Sequence, residues 1–247
     1  MEIQGIKITP KSPPLIVGYI NHNGNIDTAK AIVNHAFLSG IRAICESTLC
    51  PLLELEDQKR LKNYIEKMGL IFVANPSSQD HAKALYDIGS NVFILDYPQI
   101  FVSANNTALP FLDTLASFKK PLFINIDAGL DLAQTSDLVR ILRQKEVDFA
   151  LLQDNHNCSN AAAARLDLIL ELLNNFTDFP IGLMDKTPNN NAAKGATALG
   201  ASIIVKTFTD DKNRDGHGDF MDFKNAYDLI KGVNEIYFML NGFECIK

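Results

Sequence analysis

Eight short apolar runs organise this chain, and each is followed by a segment with the spacing of an amphipathic helix. Each run closes on a polar residue or is followed directly by one, as a buried strand does where it reaches solvent. The runs are rich in Ile, Val, Leu and Phe with little alternation, which is typical of parallel strands covered on both faces. They occupy residues 15–20, 43–46, 70–75, 92–96, 122–127, 149–154, 181–185 and 202–206.

The intervening segments carry apolar residues at positions i, i+3, i+4 and i+7, the spacing of one helix face. Examples are Leu61, Tyr64, Ile65 and Met68, and again Leu166, Ile169, Leu170 and Leu173. Strand–helix alternation repeated eight times in about 230 residues predicts an α/β protein with one closed TIM (β/α)8 barrel. The whole chain, residues 1–247, is expected to be this single domain, with residues 1–12 as an N-terminal strand or hairpin at the barrel floor.

Composition and charge narrow the choice of partners. A net charge of −6 argues against nucleic acid, because neutralising phosphates requires clustered Lys and Arg. No segment approaches the roughly 18 uninterrupted apolar residues of a membrane span. Four cysteines without a CxxC pair indicate free thiols, so we expect a cytoplasmic protein. With nucleic acid and membranes set aside, the expected partner is a small molecule.

A TIM barrel places its chemistry at the C-terminal ends of the strands. The polar residues predicted there are Glu46, Asn75, Asp96, Asp127, Asp154, Asp185 and Lys206. Asp127, Asp154, Asp185 and Lys206 are the candidates for catalysis. For Lys206 the open roles are an acid, a Schiff-base nucleophile and a structural ion pair.

A polar segment follows the sixth predicted strand. Residues 153–157 read Gln-Asp-Asn-His-Asn, and His156 beside Asp154 is a candidate general base. The alternative is that these loop residues cap the next helix near Ser159.

Three motifs, in order along the chain, resemble the sialic acid (N-acetylneuraminate) synthase family. Residues 21–24 read Asn-His-Asn-Gly, the tetrapeptide that ends the first strand of that family. Residues 184–187, Met-Asp-Lys-Thr, stand where the family has Ser-Asp-His-Thr. Residues 205–209, Val-Lys-Thr-Phe-Thr, stand where it has Glu-Lys-His-Phe-Thr. The likeness covers roughly residues 12–242 of the strand–helix template.

The resemblance implies carbohydrate biosynthesis, in which phosphoenolpyruvate condenses with the aldehyde of an amino sugar with the help of a divalent metal. The implied metal ligands are the histidines of the second and third motifs, positions that Lys186 and Thr207 hold here. An ammonium group repels a divalent cation, and a hydroxyl is a poor substitute for imidazole. We therefore expect manganese to be absent from this position and the parent reaction to be lost.

Other differences from the family point the same way. Two family lysines correspond to Cys45 and Ile94, and the expected convergence of Glu46, Asp96, Asp127 and Asp154 at one mouth would repel a phosphate. The family's C-terminal antifreeze-like domain is not expected in this chain. Ligand binding is expected from Asn21, His22, Asn23, Glu46, Asn75, Asp96, Asn125, Gln153 and Lys186.

A second metal hypothesis concerns residues 211–222. Oxygen-bearing side chains at loop positions 1, 3, 5, 9 and 12, with glycine at position 6, match a twelve-residue calcium loop. The predicted ligands are Asp211, Asn213, Asp215, His217, Asp219 and Asp222. The alternative is a solvated loop that caps the last helix.

Three functions stay open on the sequence alone. One is a divergent synthase-like barrel that binds or transforms a small polar metabolite, a sugar or a hydroxy acid, at its C-terminal mouth. Another is an active enzyme, either a nonulosonate synthase, which is a transferase that forms a C–C bond, or a lyase. The third is a non-catalytic binding or assembly module, and a homodimer is compatible with the sequence.

Overall fold

Eight parallel strands, one for each predicted apolar run, form the centre of the fold. The computed structural model describes residues 1–47, 51–96, 101–102, 107–108, 110–127, 129, 131–154, 164–214 and 219–242. The strands are β1 (Leu15–Ile20), β2 (Ala43–Glu46), β3 (Ile71–Val73), β4 (Phe93–Asp96), β5 (Leu122–Asp127), β6 (Phe149–Asp154), β7 (Ile181–Asp185) and β8 (Ile203–Phe208). These bounds confirm the predicted TIM barrel.

The barrel closes through two kinds of contact. Strand β8 returns to β1 in a ladder that runs from Ile203–Leu15 to Phe208–Ile20. Strands β3 and β4 are joined by a single bridge between Ala74 and Phe93. There the Ala74 N–H donates to the Val92 carbonyl and the Ile94 N–H donates to the Ala74 carbonyl, both at 2.9 Å.

Helices alternate with the strands through the described chain. They are α1 (Ile26–Ser39), α2 (Leu55–Lys67), α3 (Gln79–Asp87), α4 (Pro110–Ser117), α5 (Leu132–Gln144), α6 (Leu166–Asn175), α7 (Asn191–Leu199) and α8 (Phe223–Asn241). No helix of the described chain is long and apolar enough to cross a bilayer. A short antiparallel pair, Phe101–Val102 with Thr107–Ala108, lies between β4 and α4.

Local sequence signals set the ends of α1. The side chain of Asn25 accepts a hydrogen bond from the Thr28 N–H and caps the first turn. Gly40 ends the helix with φ of +92°, a backbone conformation that glycine adopts without steric cost. An asparagine cap and a terminal glycine therefore set the two ends of this helix.

Strand side chains alternate between two apolar cores. The inner core fills the barrel and contains, among others, Val17, Cys45, Phe123, Met184 and Val205. The outer core lies between strands and helices and contains, among others, Ile16, Ile44, Ile124, Leu183 and Ile204. The N-terminal hairpin, Glu2–Ile3 with Ile6–Lys7, and the residue after it contribute Ile3 and Ile8 to the inner core.

Candidate functional site

The alternation of side chains decides which strand-end residues reach the mouth of the barrel. Successive residues of a strand point to opposite faces. The residues in the register of the inner core are Tyr19, Ser47, Asn75, Asp96, Asn125, Asp127, Asp154, Lys186 and Thr207. Those in the register of the outer core are Glu46, Gln153, Asp185 and Lys206. The predicted site is therefore divided between two layers.

A cavity of about 180 Å³ opens at the mouth. This mouth cavity is lined by three hydroxyl groups, one amide, one ammonium group, one carboxylate and an aromatic ring. The lining residues are Tyr19, Asn21, Ser47, Lys186, Thr207, Asp219 and Phe220. Such a mixture of hydrogen-bonding groups and rings suits a small polar ligand.

Lys186 and Asp154 form the ion pair of the mouth. Nζ of Lys186 donates to Oδ2 of Asp154 at 2.9 Å. The Asp154 side chain is 1% exposed and that of Lys186 is 24% exposed. A carboxylate buried to this degree needs a compensating charge, and the Lys186 ammonium supplies it while its own side chain stays in contact with the mouth cavity.

Amide side chains connect neighbouring strands around the rest of the mouth. Nδ2 of Asn125 donates to Oδ1 of Asp96 at 2.8 Å. Nδ2 of Asn75 lies 3.0 Å from the Tyr19 hydroxyl and 3.2 Å from the Glu46 carbonyl oxygen. These contacts fix Asp96 and Tyr19 in place, which gives the cavity a preformed wall.

Lys206 and Asp185 lie one layer further out, beneath the mouth. Nζ of Lys206 donates to Oδ2 of Asp185 at 2.9 Å and to the Thr187 carbonyl at 2.6 Å. Oδ1 of Asp185 accepts from the N–H and the hydroxyl of Thr187. Burial lowers the pKa of Lys206, and the adjacent Asp185 carboxylate opposes that shift. This position favours the structural ion pair among the three roles that the sequence left open.

Glu46 is the hub of a second buried network. Its Oε1 accepts from Nε2 of His22 at 3.0 Å and from the Leu53 N–H at 3.1 Å, and its Oε2 accepts from Nε2 of Gln58. Nδ1 of His22 accepts from the Gly24 N–H, so the ring proton is on Nε2. The network ties the Asn-His-Asn-Gly loop to the start of α2.

The same network continues to α3. Nε2 of His81 lies 3.0 Å from Oε1 of Gln58, and its Nδ1 accepts from the Ser77 N–H. Burial lowers the pKa of His81, while the charge of Glu46 partly counters this. A neutral ring with its proton on Nε2 satisfies both contacts.

Three of the four carboxylates expected at the mouth, Asp96, Asp127 and Asp154, lie in the inner register. Asp127 is exposed, and its Oδ1 accepts from the Gly129 N–H at 2.6 Å. The fourth, Glu46, faces the outer layer, which corrects the expectation for that residue. Gln153 also faces outward and is 1% exposed, and neither of its amide atoms has a partner among the described residues. The reason is register, because both faces of these strands are buried and the sequence alone does not reveal which face is inner.

The predicted calcium ligands have local tasks in the described part of their loop. Oδ1 of Asp222 accepts from the Asn225 N–H and caps α8, as the helix-cap alternative expects. Oδ1 of Asp211 accepts from the N–H and side chain of Asn213, whereas Asp219 lines the mouth cavity. Asp215 and His217, and the candidate base His156, lie outside the described residues.

The donor set of the mouth does not fit a divalent metal. No three His, Cys, Asp or Glu side chains come together among the described residues. Lys186 brings positive charge to the position where the family resemblance implies a ligand, and Thr207 beside it offers a neutral hydroxyl. The expectation that manganese is absent from this position stays a prediction.

Several residues of the site were not predicted. Tyr19, Ser47, Thr207 and Phe220 line the mouth cavity, and the first three share the register of Val17, Cys45 and Val205. Register with the apolar inner residues was the signal that could have found them.

A larger cavity of about 380 Å³ lies at the opposite end of the barrel. It is formed by the N-terminal hairpin, the α1–β2 connection around Arg42, and α8. We assign the site to the mouth, because the chemistry of TIM barrels is built on the loops that follow the strands.

Comparison with known proteins agrees with this fold. The chain is 26% identical to the uncharacterized protein MJ1065 of Methanocaldococcus jannaschii, over 98% of this chain and 77% of that protein. It is 23% identical to N,N'-diacetyllegionaminic acid synthase of Campylobacter jejuni, over 80% of this chain and 67% of that protein.

A solved structure shows the same architecture. N-acetylneuraminic acid synthetase of Leptospira borgpetersenii superposes with a TM-score of 0.87 at 21% identity, covering 100% of this chain and 91% of that one. The profile of the NeuB family matches residues 44–242. The resemblance to sialic acid synthases is thereby confirmed, and the chain belongs to the NeuB family.

Proposed function

We propose that this protein binds a small polar metabolite, a sugar or a hydroxy acid, in the mouth cavity, and that it does not carry out the metal-dependent condensation of phosphoenolpyruvate. The observation that carries the proposal is the composition of the mouth cavity. Three hydroxyls, an amide and the Lys186–Asp154 pair offer donors and acceptors, and Phe220 offers an apolar face for a sugar ring.

Charge argues against the condensation. Lys186 is the one cationic side chain among the described residues of the mouth cavity, and it is already paired with Asp154. Asp96 lies in the same inner register, and Asp219 lines the cavity. A phosphate dianion placed here would meet more negative than positive charge.

A thermal-shift screen of neutral sugars, amino sugars and hydroxy acids tests the binding. A ligand present at about a hundredfold its Kd stabilises by about 2.7 kcal/mol, which raises Tm by roughly 5–10 °C for a chain of this size. We expect Thr207→Val and Lys186→Met to remove most of the shift. Lys231→Met on the exposed face of α8 is the matched control and keeps it.

A phosphate-release assay with phosphoenolpyruvate, amino sugars and manganese tests the other half of the proposal. We expect no turnover above the protein-free rate. Turnover that Asp154→Asn abolishes would restore the active synthase as the function. If no ligand shifts Tm and the protein instead associates as its concentration rises, the binding proposal fails in favour of an assembly module.

A further inference from the structure

We propose that the Lys186 ammonium group is a built-in replacement for a metal cation at the barrel mouth. It neutralises Asp154, presents positive charge to the ligand and keeps divalent cations out. This deepens the proposed function, since it identifies the cation of that same site as part of the polypeptide.

The first step of the argument is the position of Lys186. It directly follows Asp185, which pairs with Lys206 across β7 and β8. Lys186 and Thr207 therefore extend neighbouring strands at one level, and both line the mouth cavity. An ammonium group held there meets the same ligand atoms that a bound cation would meet.

The second step is the state of Asp154. Its carboxylate is almost fully buried, and the described contact on Oδ2 is the Lys186 ammonium at 2.9 Å. A buried carboxylate attracts any cation that can reach it. The cation already present, the Lys186 ammonium, is part of the polypeptide and cannot diffuse away. An incoming divalent ion would have to displace Lys186 and tolerate its charge nearby.

The third step is the ligand set. A transition metal needs several imidazole, thiolate or carboxylate donors. No three His, Cys, Asp or Glu side chains come together among the described residues, and Asp219 is the one carboxylate among the described residues that line the mouth cavity. The lysine has thus taken both the charge and the space of a cation. Exchange of Lys186 and Thr207 for histidine would supply two imidazoles beside a carboxylate, a donor set that transition metals bind.

The test is a titration with manganese alone, in which electron paramagnetic resonance measures the concentration of the free ion. The proteins are the wild type, the single variant Asp154→Asn, the double variant Lys186→His/Thr207→His, that double variant with Asp154→Asn added, and Lys231→His as a surface control. We expect no saturable binding by the wild type or the control. The double variant should bind manganese with an affinity at least about tenfold above the upper limit measured for the wild type. Adding Asp154→Asn to the double variant should remove this gain in affinity.

Two results would overturn the proposal. One is saturable manganese binding by the wild type that Asp154→Asn abolishes. The other is a folded double variant, judged by circular dichroism, that gains no affinity. If the double variant does not fold, the titrations of the wild type and of Asp154→Asn decide alone. No metabolite is present in these titrations, so this inference and the proposed ligand binding can fail separately.

Discussion

At the scale of single residues, a shift of one position along a strand separates residues that line the mouth cavity from residues buried behind it. Lys186 lines the mouth cavity, whereas Lys206 at the end of the adjacent strand is 1% exposed. Both are lysines paired with an aspartate at 2.9 Å. Their register alone places one side chain at the mouth cavity and the other in the buried outer layer.

Loss of the Lys206 charge should destabilise the fold strongly. Lys206→Met leaves Asp185 buried without its cation and removes the donor to the Thr187 carbonyl, at an expected cost of about 3–5 kcal/mol. Urea unfolding measures this, with the exposed Lys231→Met expected within about 0.5 kcal/mol of the wild type. A loss below about 1 kcal/mol for Lys206→Met would contradict the structural role.

Replacing Gln153 should change the stability in the opposite direction. Its amide is buried and unpartnered among the described residues, so Gln153→Met should raise the free energy of unfolding by about 1–2 kcal/mol. The exposed Gln144→Met is the matched control. Destabilisation instead would mean that a bound water or a residue outside the described ranges satisfies the amide.

His81 makes stability depend on pH. Its pKa is lower in the folded protein than in the unfolded chain, chiefly because of burial, so below about pH 6.5 the unfolded chain takes up the proton first. Stability should therefore fall as the pH drops from 7 to 5. His81→Gln, which keeps a donor toward Gln58, should flatten this dependence, while the exposed His35→Gln should not. Identical pH curves for wild type and His81→Gln would refute the assignment.

At the scale of elements, Gly182 in β7 is set by close packing. A Cβ atom there would lie 2.5 Å from the Ile203 carbonyl oxygen and 2.5 Å from Cδ2 of Leu152. Gly182→Ala should therefore cost about 1–3 kcal/mol in chemical denaturation. Gly195→Ala in α7 meets only the movable end of Leu166, and we expect it to be neutral or slightly stabilising. Equal effects of both changes would refute this reading of the packing.

The strands could be predicted from sequence, but the direction of their side chains could not. Apolar runs bounded by polar residues gave β1, β2, β5, β6 and β7 with their observed bounds. In these runs both faces are buried, so no alternation distinguishes Glu46 from Ser47 or Gln153 from Asp154. The direction became visible only through the two cores.

The network around Glu46 was beyond the sequence for a different reason. Gln58 and His81 belong to helices and meet Glu46 and each other across 12 and 23 residues of chain. No local pattern links residues on separate helices, because their contact is created by the packing of α2 and α3 against the barrel. His22 had a local signal, the Asn-His-Asn-Gly motif, but its partner did not.

At the scale of the whole molecule, acidic residues are concentrated in the segments that follow the strands. The segments that follow the strands are 21–25, 47–54, 74–78, 96–109, 127–131, 154–165, 186–190 and 209–222. By sequence they hold ten Asp and Glu but four Lys and Arg. This excess of six negative charges equals the net charge of the whole chain. Such a field disfavours anions and is screened by salt.

The contact between β3 and β4 is the weakest strand pairing of this barrel. Elsewhere neighbouring strands share ladders of three or more residue pairs, but here one bridge at Ala74 and Phe93 completes the ring. Local opening follows the thinnest set of contacts, so the amide protons of Ala74 and Ile94 should exchange with deuterium before those of the β8–β1 ladder. The barrel is therefore a continuous sheet whose two edge strands, β3 and β4, meet through one bridge. A circular permutant with its new termini between these two strands should lose few of the hydrogen bonds between strands.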